Sequence, residues 1–304
     1  MNYDSLLAVL CAAFVATSVV GCGDDGGGPG DTSAGTTAPT TTASGADSTT
    51  SSGSSESGTS ESTESGSSGG MVDPTEGEEP PTFECGGGGV FPTDMTIDPD
   101  DPDATPIDAL EGISVIDGDL LVTHASYFSL DFLECITEVR GDIQIYDNPF
   151  LIDLSGTNNI VKVGRLPEPL ATDPTMMDMG KGTITISANA ALVQISGFAQ
   201  LPQIGEQDPN TGALAQQSLV IRQNPAAETI TGFDSLTTIF GSLIIQENDA
   251  LQDIDALKVL QNIGGGYTVT RNPNLCLSSV NCVGGGLLNF DPEFSTTSMN
   301  NDDC

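Results

Sequence analysis

The stretch GDIQIYDNPFLIDLSG, residues 141–156, decides the fold because its pattern returns four more times along the chain, beginning at residues 182, 217, 241 and 265. Each copy has two apolar residues two positions apart and an asparagine three positions after the second of them. The apolar pairs are Ile143/Ile145, Ile184/Ile186, Leu219/Ile221, Leu243/Ile245 and Tyr267/Val269. The asparagines are Asn148, Asn189, Asn224, Asn248 and Asn272. Alternation with a period of two predicts strands that bury one face.

The spacing of the copies predicts that these strands stack on one another. Leu219, Leu243 and Tyr267 follow at intervals of 24 residues, which leave no room for a helix between strands. Further apolar pairs lie between the strands, at Ile136/Val139, Leu151/Leu154, Leu192/Ile195, Leu201/Ile204, Leu236/Ile239, Leu251/Ile254 and Leu260/Ile263. We therefore predict an all-β solenoid of about six coils. The asparagines are expected to form a structural ladder, because an amide at a turn can bond main-chain groups that the turn leaves unpaired.

The spacing between copies is longer than 24 residues in two places, and the first predicted strand lacks the asparagine. The step from Ile143 to Ile184 is 41 residues and the step from Ile184 to Leu219 is 35, so both exceed 24. The extra residues fall just before a strand, in 164–181 and 206–216, and we expect both insertions to project from one corner of the stack. Loops on a rigid stack commonly carry recognition. The first predicted strand, from Gly118, has Ala125 in the asparagine position, which is typical of an end cap.

Three of these segments resemble a known family. GDIQIYDN (141–148), LTTIFGSLIIQENDALQDIDAL (236–257) and LQNIGGGYTVTRNPNLC (260–276) are similar to the receptor L-domain, the leucine-rich-repeat-like β-helix of growth-factor and insulin receptor ectodomains. The resemblance covers about residues 85–285 and implies a right-handed parallel β-helix that binds a ligand. Related modules occur in bacterial surface lipoproteins with a low-complexity stalk. The two insertions depart from the family, and no contact residue of the receptors can be placed here, so the family's ligand does not carry over.

The N-terminal sequence predicts export and attachment to a membrane. Residues 6–20 form an apolar run of the length of a signal-peptide core, and Val19-Val20-Gly21-Cys22 resembles the bacterial lipobox. We predict a lipoprotein signal peptide over 1–21, a diacylated Cys22, a disordered acidic Ser/Thr/Gly-rich linker over 22–83 and a folded domain over 84–304. The expected location is the cell envelope, at the outer membrane or cell surface. The first four residues lack the usual Lys or Arg, so an ordinary signal peptide with an incidental Cys22 remains the alternative.

The net charge limits which partners the protein can bind, and the cysteines give candidates for disulfide bonds. The chain has 43 Asp and Glu against 7 Lys and Arg, a net charge of -36, which excludes nucleic acid as an electrostatic partner. The membrane is expected to be contacted through the lipid alone. In an oxidising compartment, the disulfide candidates are Cys85, Cys135, Cys276, Cys282 and Cys304. We expect the first two to close the N-terminal cap, and the next two to close the C-terminal cap unless Cys304 displaces one of them.

The sequence contains no recognisable catalytic constellation and predicts no cofactor. His124, the only histidine, lacks a Ser or Cys motif and is interpreted as a surface or cap residue. The glycine runs at 86–89, 264–266 and 284–286 are interpreted as turns. Oxygen ligands for Ca²⁺ occur in IDPDDPD (97–103), where the weak candidates are Asp98, Asp100, Asp101 and Asp103. A solvated acidic loop is the favoured interpretation of that segment.

The predicted function is therefore binding, with an unknown protein or glycan as ligand. The candidate partner surface combines Tyr146, Arg222 and Ile244 on the outward face of the strands with Met176, Met177 and Met179 in the first insertion. Local packing of the insertion is an equal alternative for the methionines. A structural envelope or adhesion component without a discrete ligand is the second hypothesis. A β-helix enzyme acting on polysaccharides is a remote third, because no strand column pairs acidic clusters with Lys or Arg.

Overall fold

The computed structural model describes residues 77–166, 180–206 and 217–302, and the backbone alone of 169–170, 173–177 and Phe294. All of these belong to the larger of the two units into which the chain divides, residues 70–304. The predicted signal peptide, Cys22, most of the linker, Met179 and Cys304 lie outside the described residues. Met176 and Met177 are described in backbone only.

The described chain is built from short strands. These are β1 (Gly89–Phe91), β2 (Met95–Ile97), β3 (Ile113–Ile116), β4 (Leu120–Thr123), β5 (Glu138–Val139), β6 (Ile143–Tyr146), β7 (Lys162–Val163), β8 (Pro169–Leu170), β9 (Asp173–Met177), β10 (Ile184–Ser187), β11 (Gln194–Ile195), β12 (Gln203–Ile204), β13 (Leu219–Arg222), β14 (Thr229–Ile230), β15 (Thr238–Ile239), β16 (Leu243–Gln246), β17 (Asn262–Ile263), β18 (Tyr267–Thr270) and β19 (Thr296–Ser298). Short 3-10 helices span Ile107–Leu110, Asp131–Leu133, Ser155–Thr157, Asp255–Val259 and Pro292–Phe294, and one α-helix, α1, spans Leu277–Gly286.

The central sheet of the described chain contains eight parallel strands in the order β2-β4-β6-β10-β13-β16-β18-β19. Successive copies of the repeat pair residue for residue, so the first apolar positions form one row: Ile143, Ile184, Leu219, Leu243 and Tyr267. Every apolar residue of the five predicted pairs is at most 3% exposed. The predicted strands, their register and their buried face are confirmed by this pairing. A slip by one residue would turn every apolar pair to the outer face.

Smaller parallel sheets complete the framework. Their orders are β1-β3-β5-β7, β12-β15-β17 and β11-β14. The apolar pairs predicted between the strands are all buried in the core that the central sheet covers. The fold is thus mostly β, with long parallel sheets and few helices, as a parallel solenoid requires. The hydrogen-bonded order is interrupted between β7 and β12, the strands that immediately precede the two insertions.

The asparagine ladder is confirmed. In each step, the main-chain N–H and the side-chain Nδ2 of one asparagine donate to Oδ1 of the next, over 3.0–3.2 Å from Asn148 through Asn272. All five predicted asparagines are fully buried. Ala125 N–H donates to Asn148 Oδ1 at 3.0 Å, so the ladder starts at Ala125 as the pattern predicts. It also continues one step beyond the prediction, to Asn300.

A second ladder, which sequence reasoning missed, lies at the beginning of the same strands. Here the side-chain oxygen of one residue accepts from a main-chain N–H in the following copy, which reverses the polarity of the asparagine ladder. Its accepting residues are Asp94, Asp119, Asp142, Thr183, Ser218 and Ser242. The signal was present in the sequence as the pairs Gly-Asp, Gly-Thr and Gly-Ser, which precede the four strands β4, β6, β10 and β16. At Gly141 glycine is required, because a Cβ there would lie 2.3 Å from the carbonyl oxygen of Gly118.

Both ends of the stack differ from the prediction. The central sheet begins with β2, one strand before the predicted first strand, and ends with β19, which has no apolar residue. The glycine run 284–286, interpreted as a turn, instead ends α1, which buries Val280 and Val283 against the core. Packing on the otherwise exposed last strands stabilises this helix, although glycine has a low helix propensity.

The disulfide predictions are confirmed at the N-terminal cap. Cys85 is bonded to Cys135, which ties the segment before β1 to the end of the Asp131–Leu133 helix. Cys276 and Cys282 are also disulfide-bonded. Contacts with the domain begin within the predicted linker, because Glu78 N–H donates to Ser126 O at 2.7 Å and Phe83 packs against the core.

Candidate functional site

The first insertion leaves and re-enters the framework through one pair of residues. Arg165 N–H donates to Lys181 O at 2.9 Å, and Lys181 N–H donates to Arg165 O at 3.3 Å. These reciprocal bonds form an antiparallel bridge at the base of the insertion, and beyond it β8 and β9 pair antiparallel. The first insertion is therefore a hairpin whose base is held by main-chain bonds.

The bases of both insertions meet at Gln217. Its side chain is almost fully buried. Oε1 accepts from Glu206 N–H at 3.1 Å, where the second insertion begins, and Nε2 donates to Lys181 O at 2.6 Å and Arg165 O at 3.4 Å. One amide thus joins the two bases, which lie at one corner as the spacing predicts. We call Arg165, Lys181, Glu206 and Gln217 the loop corner.

Gln217 is a residue that sequence reasoning missed. Other copies have glycine at the equivalent position, as in Gly141, Gly182 and Gly241, whereas the copy after the second insertion begins Gln217-Ser218. The departure from glycine was the available signal. The buried amide has all its polar atoms satisfied, because Oε1 accepts from Glu206 N–H and Nε2 donates to two carbonyl oxygens that already accept a main-chain bond.

A cleft of about 320 Å³ opens beside the loop corner, between β7 and β12. One wall contains Val161, Lys162 and Val163, and the other contains Pro202, Gln203, Gly205 and Glu206. β7 pairs with β5 and β12 pairs with β15, so the facing edges of β7 and β12 are not hydrogen-bonded to each other. The lining contains main-chain groups, the cation of Lys162 and the carboxylate of Glu206. Such a lining suits a polar ligand.

Amide side chains bridge the two sides of this region. Before the cleft, Asn158 Oδ1 accepts from Ala199 N–H at 3.2 Å, and Gln200 Nε2 donates to Asn159 Oδ1 at 3.0 Å. At the other end of the cleft, Gln217 joins the segments that contain Arg165 and Glu206. The cleft therefore has a width set by side-chain bonds at both ends, which favours a preformed site.

The electrostatics near the loop corner are dominated by carboxylates. Lys181 Nζ bonds Asp119 Oδ2 at 2.6 Å, and this hydrogen bond, together with the negative charge of Asp94 and Asp142, raises the pKa of Lys181. On the cleft wall, Lys162 Nζ lies 3.4 Å from Glu138 Oε1. Both lysines are thus paired with carboxylates of earlier copies.

The predicted partner surface is brought together in part. Tyr146 and Arg222 each pair with Ser187, on opposite sides of β10, so the three lie in one row of the central sheet. Ile244 lies on the same outward face, one row away. Arg222 is exposed, while Tyr146 and Ile244 are half-buried. The side chains of the three methionines lie outside the described residues.

The acidic loop is exposed at Asp100, Asp101 and Asp103, as the favoured interpretation predicts, and its carboxylates also bond within the loop. Asp98 Oδ1 accepts from Asp100 N–H at 3.0 Å, and Asp101 Oδ1 accepts from Asp103 N–H at 2.9 Å, so these carboxylates cap their own turns. Ligand atoms of Asp98, Asp100 and His124 lie within 4.8 Å of one another. Asp101 and Asp103, the other weak Ca²⁺ candidates, do not belong to that group.

His124 joins three successive strand ends. Nδ1 lies 3.2 Å from Asp98 Oδ1, and Nε2 lies 3.3 Å from Asp147 Oδ2. Hydrogen bonding to Asp98 raises the pKa of His124 against the opposing effect of desolvation, and the charges of Asp147 and Asp100 act in the same direction as Asp98. His124 is a cap residue, as the sequence predicts, but its pairing with the acidic loop was missed because Asp98 is 26 residues away.

No protein-family model matches the chain, and no solved structure matches it at a significant level. Among the described residues, no helix has the length and apolar character needed to cross a membrane.

Proposed function

We propose that this protein is a non-enzymatic recognition module, displayed at the cell envelope, that binds a protein or glycan at the loop corner. The observation that carries the proposal is the burial of Gln217 and its bonds to the bases of both insertions. An amide that holds the bases of two loops beside a cleft supports a preformed binding site, since ordering of loop bases on binding would cost affinity.

The proposed framework is a right-handed parallel β-helix of about six coils, related to the receptor L-domain. The asparagine ladder and the in-register parallel strands support it, although the family assignment rests on the resemblance of the repeat. In this proposal the signal peptide is removed, Cys22 is lipidated, and the linker holds the domain away from the membrane. Mass spectrometry of the mature N-terminus tests the anchor, because an unmodified Cys22 removes it.

Binding is tested with the full chain on a glycan array and on a panel of purified envelope proteins. We expect saturable binding to a member of either class, lost when residues 167–179 are replaced by a short Gly-Ser turn. The matched control shortens the predicted linker by the same number of residues, which leaves the loop corner intact. Binding that survives the loop replacement contradicts the proposed site, and absence of binding to both panels favours the structural envelope component.

The enzymatic alternative has its own readout. Incubation of the full chain with acidic polysaccharides and Ca²⁺ should release no unsaturated product. Release of such a product, lost on replacing Lys162 or Lys181 by Met, would favour the polysaccharide-acting enzyme over the recognition module.

A further inference from the structure

Independently of the loop corner, we propose that the outer edge of β19 docks an extended, positively charged segment of a partner protein, which adds to the central sheet as its next strand. β19 is the last strand of the eight in the described chain, and Thr296, Thr297 and Ser298 are all exposed. Strand addition to an exposed sheet edge is a general mode of peptide recognition.

The main-chain groups of this edge can be assigned. Arg271 N–H donates to Ser298 O at 3.0 Å, so Ser298 faces β18. Alternate residues of a strand direct their main-chain groups to opposite sides, so Thr297 directs its groups outward. Met299 follows β19 with a φ of 57°, as Arg271 follows β18 with a φ of 59°, so its N–H points outward as the Arg271 N–H points to β19. Within the described residues, no strand or isolated bridge pairs with this side of β19. As far as the described chain extends, the edge therefore presents unpaired donors and acceptors.

The asparagine ladder adds a second recognition element. Asn300 Oδ1 accepts from both Asn272 N–H and Asn272 Nδ2, and Asn300 Nδ2 donates back to Val269 O at 2.9 Å. In every earlier step, the main-chain N–H and Nδ2 of one asparagine donate to Oδ1 of the asparagine in the following strand. The main-chain N–H of Asn300 and its remaining Nδ2 hydrogen therefore point to where Oδ1 of an asparagine in an added strand would lie. An incoming strand with asparagine in this position would continue the ladder.

A cavity of about 250 Å³ lies next to the edge. Tyr267, Val280, Gly284, Phe290 and Thr297 contribute to its lining. In the preceding strand the residue equivalent to Thr297 is Val269, which is fully buried, whereas the polar Thr297 is exposed and lines the cavity. An apolar side chain of the added strand can occupy that space. Leu288 and Met299, exposed by 73% and 70%, provide further apolar surface at this end.

Charge favours a basic partner over a second copy of the chain. Residues 272–302 include Asp291, Glu293 and Asp302 but no Lys, Arg or His. A net charge of -36 opposes self-association. The opposite edge of the sheet is also closed, because Thr105 N–H donates to Thr96 O at 2.7 Å and Thr105 Oγ1 accepts from Thr96 N–H at 3.3 Å. A head-to-tail copy would therefore find no free strand to pair with.

The test uses the chain's own repeat as a probe. A fluorescent peptide carries the sequence of residues 266–273, Gly-Tyr-Thr-Val-Thr-Arg-Asn-Pro, between two pairs of lysines. Titrated with the full-length protein, its anisotropy should report saturable binding that weakens in about 0.5 M salt. A peptide with leucine in place of the asparagine should bind about tenfold more weakly, because one hydrogen-bonded group is lost.

Two protein variants separate edge pairing from general adhesion. Thr297→Pro removes an outward N–H while leaving the bonds to β18 in place, so binding should weaken about tenfold. The control Thr297→Val keeps the N–H and should retain binding. In the wild type, the bound peptide should slow hydrogen exchange at Thr297 and Met299, which tests the edge even if the proline variant folds poorly.

Other outcomes overturn the assignment. Absence of saturable binding, equal binding by Thr297→Pro and Thr297→Val, or exchange protection confined to residues outside 296–300 would each exclude edge pairing. Concentration-dependent self-association abolished by Thr297→Pro would identify a second copy as the occupant instead. None of these results depends on the loop corner, so the proposed function is tested separately.

Discussion

Asn272 and Asn300 are joined by two hydrogen bonds of 3.3 Å, because the main-chain N–H and the side-chain Nδ2 of Asn272 both donate to Asn300 Oδ1. Asn300 follows Thr296–Ser298, a strand in which no residue is apolar. The ladder therefore extends beyond the apolar repeat. The hydrogen bonds between side-chain amides at the strand ends thus help to fix the register of the strands, independently of hydrophobic burial.

The ladder predicts a large cost for removing one buried amide. In Asn224→Ala, Asn189 loses the acceptor for two donors, and the bonds that Asn224 Nδ2 donates to Asn248 Oδ1 and to two main-chain oxygens disappear. We expect the free energy of unfolding to fall by about 3 kcal/mol, since buried groups are left unpaired. Denaturant unfolding measures this. The control Asn274→Ala removes a bond of an exposed amide to Asp249 O and should cost less than about 1 kcal/mol. Equal losses would contradict a special role for the ladder.

Gln217→Gly restores the residue found in other copies but removes the amide of the loop corner. Hydrogen exchange at Arg165 and Glu206 should accelerate, because both segments lose a side-chain bond to Gln217. The free energy of unfolding should fall by about 1–2 kcal/mol. The affinity for the ligand, once the ligand is known, should also fall, because the loop bases are less ordered. Gln194→Gly, at an exposed position of β11, is the control for glycine entropy. Unchanged exchange at both segments would show that the loop bases do not depend on Gln217.

The Cys85–Cys135 disulfide closes a loop with a sequence separation of 50. Replacing both cysteines by serine should lower the free energy of unfolding by about 4 kcal/mol, chiefly by freeing the unfolded chain. Thermal unfolding without reductant compares this variant with the wild type and leaves the bonds of Cys276 and Cys282 unaffected. A loss below about 1 kcal/mol would show that the N-terminal cap is held by its core contacts instead.

His124 predicts a specific dependence of stability on pH. Its pKa is raised above 6.5 in the folded protein, so the protonated form is favoured by folding. The corresponding stabilisation is complete below the unfolded pKa and is lost as the pH rises through the folded pKa. The melting temperature of the wild type should therefore fall more than that of His124→Gln between about pH 6 and pH 8. Parallel curves for the two proteins would show that the contacts to Asp98 and Asp147 have no effect on folding.

Most of the framework could be predicted from the repeat. The apolar pairs, the asparagine positions from Asn148 to Asn272 and the bases of the two insertions were all located by spacing. Burial with a period of two is a property of neighbouring residues, so a single strand already shows it. The disulfide between Cys85 and Cys135 was predictable because both flank the first copies.

The candidate site could be predicted only in outline. The two insertions were evident, but Gln217 contacts Arg165 across 52 residues and Lys181 across 36, separations that no local pattern encodes. The same holds for His124 with Asp98. Contacts such as these depend on how segments that are distant in sequence pack against one another.

The sequence by itself determined the parallel strands, their register and the inward face, because repeated apolar and asparagine positions are compatible with one stacking. Only the tertiary structure decided how the ends are built and where the sheet opens. β19 pairs without apolar residues because the ladder and β18 hold it, and α1 forms because the last strands leave core surface to cover. The separation of β7 from β12 likewise follows from two insertions entering at one corner, where one buried amide joins their bases.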